Sequence, residues 1–123
     1  MENNVIQDKS LDFVVRIVRL CRYLQEVSHE YVMSRQIIRS GTSIGANIRE
    51  SRNAQSSADF VSKLSIALKE ADETQFWLEV LKRSETIDSC MYESLNTDVK
   101  EIIALLTSII KTMRIKTNES GNQ

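Results

Sequence analysis

Not one proline occurs in this chain of 123 residues, and of its three glycines only Gly41 and Gly45 stand away from the C-terminal end. Turns between strands draw on both residue types, glycine for its positive φ and proline for its fixed φ. A β-rich or α/β chain of this length needs more of each. Helix interiors need neither, since proline costs about 3 kcal/mol there and glycine about 1 kcal/mol relative to alanine. The chain is therefore predicted to be all-α. A composition of 41% hydrophobic and 27% charged residues is that of a globular domain and not of a disordered segment. One domain over 1–123 is expected, without repeats or linkers.

Apolar residues recur at steps of three and four in four segments, the period of amphipathic helices. The first carries Phe13, Ile17, Leu20, Leu24, Val27 and Tyr31, widened by Val14, Val18 and Cys21. In the second the stripe is Met33, Ile37, Gly41, Ile44 and Ile48, and in the third Val61, Leu64, Leu68, Ala71, Leu78 and Leu81. The fourth and longest runs through Tyr92, Leu95, Val99, Ile102, Leu106, Ile109 and Met113. Ser56, three residues before Asp59, is a cap signal for the third segment, and Thr86 or Asp88 for the fourth. No glycine marks the end of the first, which is placed near His29. Helices are predicted approximately over 9–29, 32–55, 58–84 and 88–116, followed by a polar, frayed tail over 117–123. Joined by short loops, they make an antiparallel up-down-up-down four-helix bundle. Leu64, Leu68, Ile102 and Leu106 are predicted to be buried.

Two glycines one turn apart inside a helix ask for a compensating gain. The stretch RSGTSIGANIRES, residues 39–51, puts Gly41 and Gly45 among Ser40, Ser43 and Ala46. Small residues let two helix backbones approach closely, with more dispersion contact per turn. Gly41 and Gly45 are therefore read as close-packing positions, with Phe60, Phe76 or Trp77 of the third helix filling the space. The alternative, a backbone anion site, lacks the strand and Gly-rich loop that such sites use.

The same region resembles the family of proteins encoded in 23S rRNA intervening sequences, also called the S23 ribosomal protein family. The likeness rests on Gln36, Ile37, Arg39, Ser43, Ile44, Asn47, Ile48 and Glu50, then on Phe60, Leu64, Ile66, Ala67, Glu73, Thr74 and Gln75. It covers most of residues 10–115 and is most specific between 35 and 78. Gly45 stands where the family commonly has proline, and Ser51 where it commonly has glycine. Gly45 keeps its N–H, so the second helix is expected to run on without a proline kink. The resemblance implies a four-helix bundle that assembles into a homo-oligomeric ring, a homopentamer being the expected form, and no enzymatic activity. It does not imply RNA binding, because the name records where some of the genes lie. A related branch, accessory proteins of diversity-generating retroelements, is similar to strongly basic nucleic-acid-binding rings, and this chain's net charge of −1 lacks that basicity.

Charge is unevenly spread. Residues 9–52 hold eight Lys and Arg against four acids, and residues 53–100 hold five against nine. Either the basic half folds against the acidic half or it presents a basic face to a partner. Arg35, Arg39 and Arg49 share one face of the second segment, Arg52 adjoins it, and Arg16, Arg19 and Arg22 line a similar face of the first. Two readings follow. In the favoured one the arginines pair with acids of the third helix or of a neighbouring subunit. In the alternative they bind RNA or DNA phosphates on a ring-shaped oligomer. A protein partner is a further option.

Catalytic and metal signals are thin. Glu26-x-x-His29 fits half of a di-iron pair, but His29 is the single histidine, and no base is placed beside Cys21 or any serine. The acids Glu70, Asp72, Glu73 and Glu79 spread around a helix and read as a solvated face, with Phe76 and Trp77 as core or interface. No catalytic, cofactor or metal residue is assigned. Cys21 and Cys90 lack metal or redox spacing and are read as free buried thiols, a disulfide being the alternative. With no signal pattern and no membrane-length apolar run, a cytoplasmic protein without membrane contact is expected. Surplus apolar residues, namely Val14, Val15, Val18, Ile103, Leu105, Ile110 and Ile115, point to a self-association interface.

Overall fold

The computed structural model describes residues 2–121, with side chains described over 4–118. These residues form α1 (Glu2–Glu26), α2 (Val32–Ser51), α3 (Ser57–Arg83) and α4 (Ser89–Gly121). Each helix packs on its neighbour in sequence, and α4 closes the bundle on α1. The all-α, antiparallel four-helix bundle is as expected.

Boundaries follow from local hydrogen bonding. α1 begins seven residues earlier than its predicted start, because Ile6, fully buried, continues the stripe of Phe13 and Ile17 through Ser10. Ser10 hid that continuation: it is polar, yet it is buried and donates to the Gln7 carbonyl at 3.1 Å. α1 stops with His29 at φ 53, a conformation that glycine usually supplies. Glu30 then caps α2. Its carboxylate accepts from the N–H groups of Val32, Met33 and Ser34 at 3.1, 3.0 and 2.8 Å. α2 ends at Ser51 rather than 55, in tight turns whose N–H groups reach back three residues, and runs unbroken through Gly45.

Ser56 caps α3 by accepting from the Asp59 N–H at 3.0 Å. Glu85 at φ 61 ends it in a Schellman arrangement: Thr86 N–H bonds the Leu81 carbonyl at 2.9 Å and Glu85 N–H bonds that of Lys82 at 3.0 Å. Of the two cap candidates for α4, Asp88 accepts from the Met91 N–H at 2.8 Å. The predicted tail is helical as far as Gly121, with Thr117 donating to the Met113 carbonyl at 2.9 Å; residues 122–123 lie outside the described part.

The core holds Phe13, Ile17, Leu20 and Leu24 of α1, Ile37, Ile44 and Ile48 of α2, Leu64, Leu78 and Leu81 of α3, and Val99, Ile102 and Leu106 of α4. Three expectations need correction. Leu68 is only half-buried. Val27 and Tyr31, placed on the first stripe, lie beyond the end of α1 and are 62% and 49% exposed. Of the seven residues counted as surplus, Ile110 belongs to the core, Val14, Val18, Ile103 and Leu105 are half-buried, and only Val15 and Ile115 are exposed. Buried hydroxyls tie helices together instead of standing unpaired, as Thr74 donates to Ser40 Oγ at 2.8 Å between α3 and α2. No described helix is long and apolar enough to cross a membrane.

Candidate binding faces

The two glycines do bring backbones together, but the partner differs from the expected one. A Cβ on Gly41 would stand 2.9 Å from Ile17 Cγ2, and one on Gly45 would stand 2.7 Å from Val14 Cγ2. Both neighbours belong to α1, so β-branched side chains of α1 fill the space, not Phe60, Phe76 or Trp77. Ser40, one residue from Gly41, faces the other way and meets Thr74 of α3. α2 is thus pinched between two neighbours through its small residues.

Trp77 is partly buried and donates its indole N–H to Glu73 at 3.3 Å, while Phe76 is 56% exposed and meets the Trp77 ring edge-on at 5.1 Å. Of the two aromatic neighbours, only Trp77 is packed against the core.

The four arginines of α2 separate into two kinds. Arg39 bonds both Glu70 and Glu73 of α3. The Glu73 hydrogen bond, aided by the Glu70 charge, holds its guanidinium above its already high range. Arg35, Arg49 and Arg52 are exposed and reach no acid within 4.0 Å among the described residues. Arg49 and Arg52 flank an open cleft of about 530 Å³ against the first turns of α1, whose walls include Gln7, Asp8 and Leu11. Gln7 crosses that cleft to donate to the Ile48 carbonyl at 2.8 Å. Arg35 lies roughly 21 Å from Arg49 along the helix, at 1.5 Å per residue. Arg35, Arg39 and Arg49 thus share a face without forming a cluster, and Arg52 sits beside it at the C-cap of α2.

Of the eight basic residues of segment 9–52, three, Lys9, Arg16 and Arg39, pair with acids of other helices among the described residues. Lys9 pairs with Glu101 and Arg16 with Asp98 across the α1–α4 seam, and Lys63 meets Glu50 at 3.4 Å between α3 and α2. Arg16 also donates to Ser94 Oγ at 2.7 Å. Exposed pairs of this kind stabilise by at most about 1 kcal/mol each, so their main effect is to fix helix register.

Periodicity gave no hint of one further feature. Between the C-terminal half of α1 and the start of α4 lies a groove of about 290 Å³. Leu20 and Leu95 form its floor, Tyr23 and Met91 its walls, and Arg16 and Arg19 its rim. Its residues come from segments some seventy positions apart in the chain, so only the folded seam brings them together.

His29 is exposed in the α1–α2 loop, and the described residues contain no group of three His, Cys, Asp or Glu arranged to hold a metal ion. Both cysteines are free. Cys21 is buried as expected and donates its thiol to the Ser34 carbonyl at 3.4 Å, whereas Cys90 is exposed on the first turn of α4. Burial, with the Glu30 charge adding, pushes the Cys21 thiol up to about 11.

Comparison with known proteins places this bundle. No curated protein matches the chain. A crystal structure from Bacteroides thetaiotaomicron, of a protein of unknown function from the S23 ribosomal protein family, is 61% identical. It superposes with a TM-score of 0.89 over 90% of this chain and 99% of its own. The family model described as 23S rRNA-intervening sequence protein matches residues 2–108. The chain therefore belongs to the 23S rRNA-intervening sequence protein family.

Proposed function

We propose that this protein is a non-catalytic module that assembles with copies of itself in the cytoplasm, the homopentameric ring being the form its family resemblance implies. One observation carries the reading: large apolar side chains stand in water along the helix flanks, away from the loops. Leu11 and Val15 of α1, Ile66 and Phe76 of α3 and Ile115 of α4 are all exposed. Burial of such side chains against a second copy would gain about 25 cal/mol per Å² of apolar surface removed from water. Light scattering coupled to gel filtration tests it. A mass several times the 14.1 kDa chain is expected, and a monomer at micromolar concentration overturns the reading.

A second reading, binding of RNA or DNA, is favoured by a specific observation: Arg35, Arg49 and Arg52 have no acidic partner among the described residues, unlike Arg39. Repetition of that face around a ring would multiply a weak contact. Each phosphate contact adds about 0.9 to the slope of log affinity against log salt. Arg49→Glu with Arg52→Glu should abolish binding of a structured RNA while oligomer mass holds. Absence of binding by the wild type at about 50 mM salt, where phosphate contacts are strongest, ends this reading.

A further inference from the structure

We infer that Phe76 of one copy docks into the α1–α4 groove of a second copy, making a head-to-tail interface. This rests on the self-association proposed above and assigns it two complementary surfaces. Phe76 projects away from its own core, since the buried Thr74 and Leu78 occupy the opposite side of α3. Asp72 precedes it by four residues and is exposed without a basic partner among the described residues, while Glu79 follows by three and is paired with Arg83 at 2.9 Å, so Asp72 is the free carboxylate that flanks the aromatic side chain. The groove has the inverse character. Its floor of Leu20 and Leu95 is apolar; of its two rim arginines Arg16 is paired with Asp98, and Arg19 has no acid within 4.0 Å among the described residues.

Size and position both fit. A cavity of roughly 150 Å³ accepts benzene, so a groove of about 290 Å³ takes a phenyl ring with room for its stem. The two surfaces also lie at one level of the bundle. Gln75, beside Phe76, donates to Asn96 at 3.1 Å, and Asn96 adjoins Leu95 on the groove floor. Copies related by rotation about an axis parallel to the helices are not displaced along it, so the projecting ring of one meets the groove of the next. An interface of unlike surfaces leaves both available on each copy and closes into a ring when the rotation allows.

The test uses the whole protein and two exposed positions, Phe76→Asp and Arg19→Glu, with far-UV circular dichroism to verify that each stays helical. Light scattering should show wild type as an oligomer and each variant alone as a monomer. Mixed in equal amounts, the variants retain one intact surface pair between them. They should form a dimer of twice the chain mass that grows no further. A monomeric wild type overturns self-association itself. An oligomeric wild type whose variants keep its mass, or whose monomeric variants fail to dimerise on mixing, leaves self-association standing and overturns this interface alone.

Discussion

Alanine at Gly41 and at Gly45 should shift stability in opposite directions, although the two positions are one turn apart in one helix. Each substitution gains roughly 1 kcal/mol of helix propensity and reduced unfolded-state entropy. What differs is the neighbour. At Gly41 the new methyl would meet three atoms of Ile17, with Cγ2 at 2.9 Å, Cγ1 at 3.1 Å and Cβ at 3.3 Å. No χ1 rotation relieves a contact that includes Cβ, and Ile17 is fully buried, so α1 and α2 must move apart. Overpacking of this kind costs about 1–3 kcal/mol, which exceeds the propensity gain and leaves Gly41→Ala about 1 kcal/mol less stable. At Gly45 only Val14 Cγ2 is close, at 2.7 Å, while Val14 Cβ stands off at 3.8 Å. Val14 is half-buried and can turn its methyl toward the open side, so Gly45→Ala should be neutral or more stable by up to about 1 kcal/mol. Urea unfolding followed by circular dichroism, at a fixed protein concentration because association adds to stability, measures both. A double-mutant cycle sharpens the test. Ile17→Ala removes both Cγ atoms, so Gly41→Ala in that background should become stabilising, with a coupling of about 1–2 kcal/mol. Equal behaviour of the two glycine variants, or no coupling to Ile17, would refute the reasoning.

Glu85 occupies a left-handed position that glycine adopts without strain, so Glu85→Gly should stabilise the protein by about 0.5–1 kcal/mol in the same unfolding assay. Cys21 is expected to resist a thiol reagent that labels Cys90 at once in the folded protein. Its pKa is raised in the fold from 9.0 to about 11. The associated stability is therefore fully present below pH 9 and lost as pH rises through 11, by about 2–3 kcal/mol. Cys21→Ser, which does not titrate in that range, should flatten this alkaline slope. Leu64→Ala, at a fully buried position, should cost about 2–5 kcal/mol, and Leu68→Ala, half-buried, markedly less.

How much of this fold could be read beforehand depends on what sets each feature. Helix identity and the central core positions were legible, because Ile37, Ile44, Ile48, Leu64, Leu78 and Leu106 obey the 3.6-residue period and no proline or stray glycine competes with it. Helix ends were less so. His29 and Glu85 take positive φ without being glycine, and Glu30 caps α2 from outside the helix with a side chain that carries no N-cap signature. These are tertiary and local hydrogen-bond solutions that propensity does not encode. The glycine pair was recognised as a close approach, yet its partner was misassigned. Periodicity tells that a residue faces inward but not which of two flanking helices it faces.

The same limit governs the binding faces. That Arg35, Arg39 and Arg49 share a helix face, with Arg52 adjoining it, follows from their spacing alone, but whether each charge is free depends on the register of α3 against α2. That register puts Glu70 and Glu73 beside Arg39, and no described acid within salt-bridge distance of the other three. Phe76 and Trp77 are consecutive aromatics that composition cannot tell apart. A 100° turn sends one to Glu73 at the α2–α3 seam and the other into water. Burial of a side chain of that size against a second copy would gain about 1.5–3 kcal/mol. Phe76 stands beside Asp72, level with a groove that is apolar below and carries the unpaired Arg19 at its rim, and the proposed interface would bury it there. Monomer stability and the proposed assembly would thus rest on different residues: Ile17 and Gly41 set how close α1 and α2 lie, whereas Arg19 and Phe76 are exposed, lie outside the core, and in the proposed interface would decide what the bundle meets.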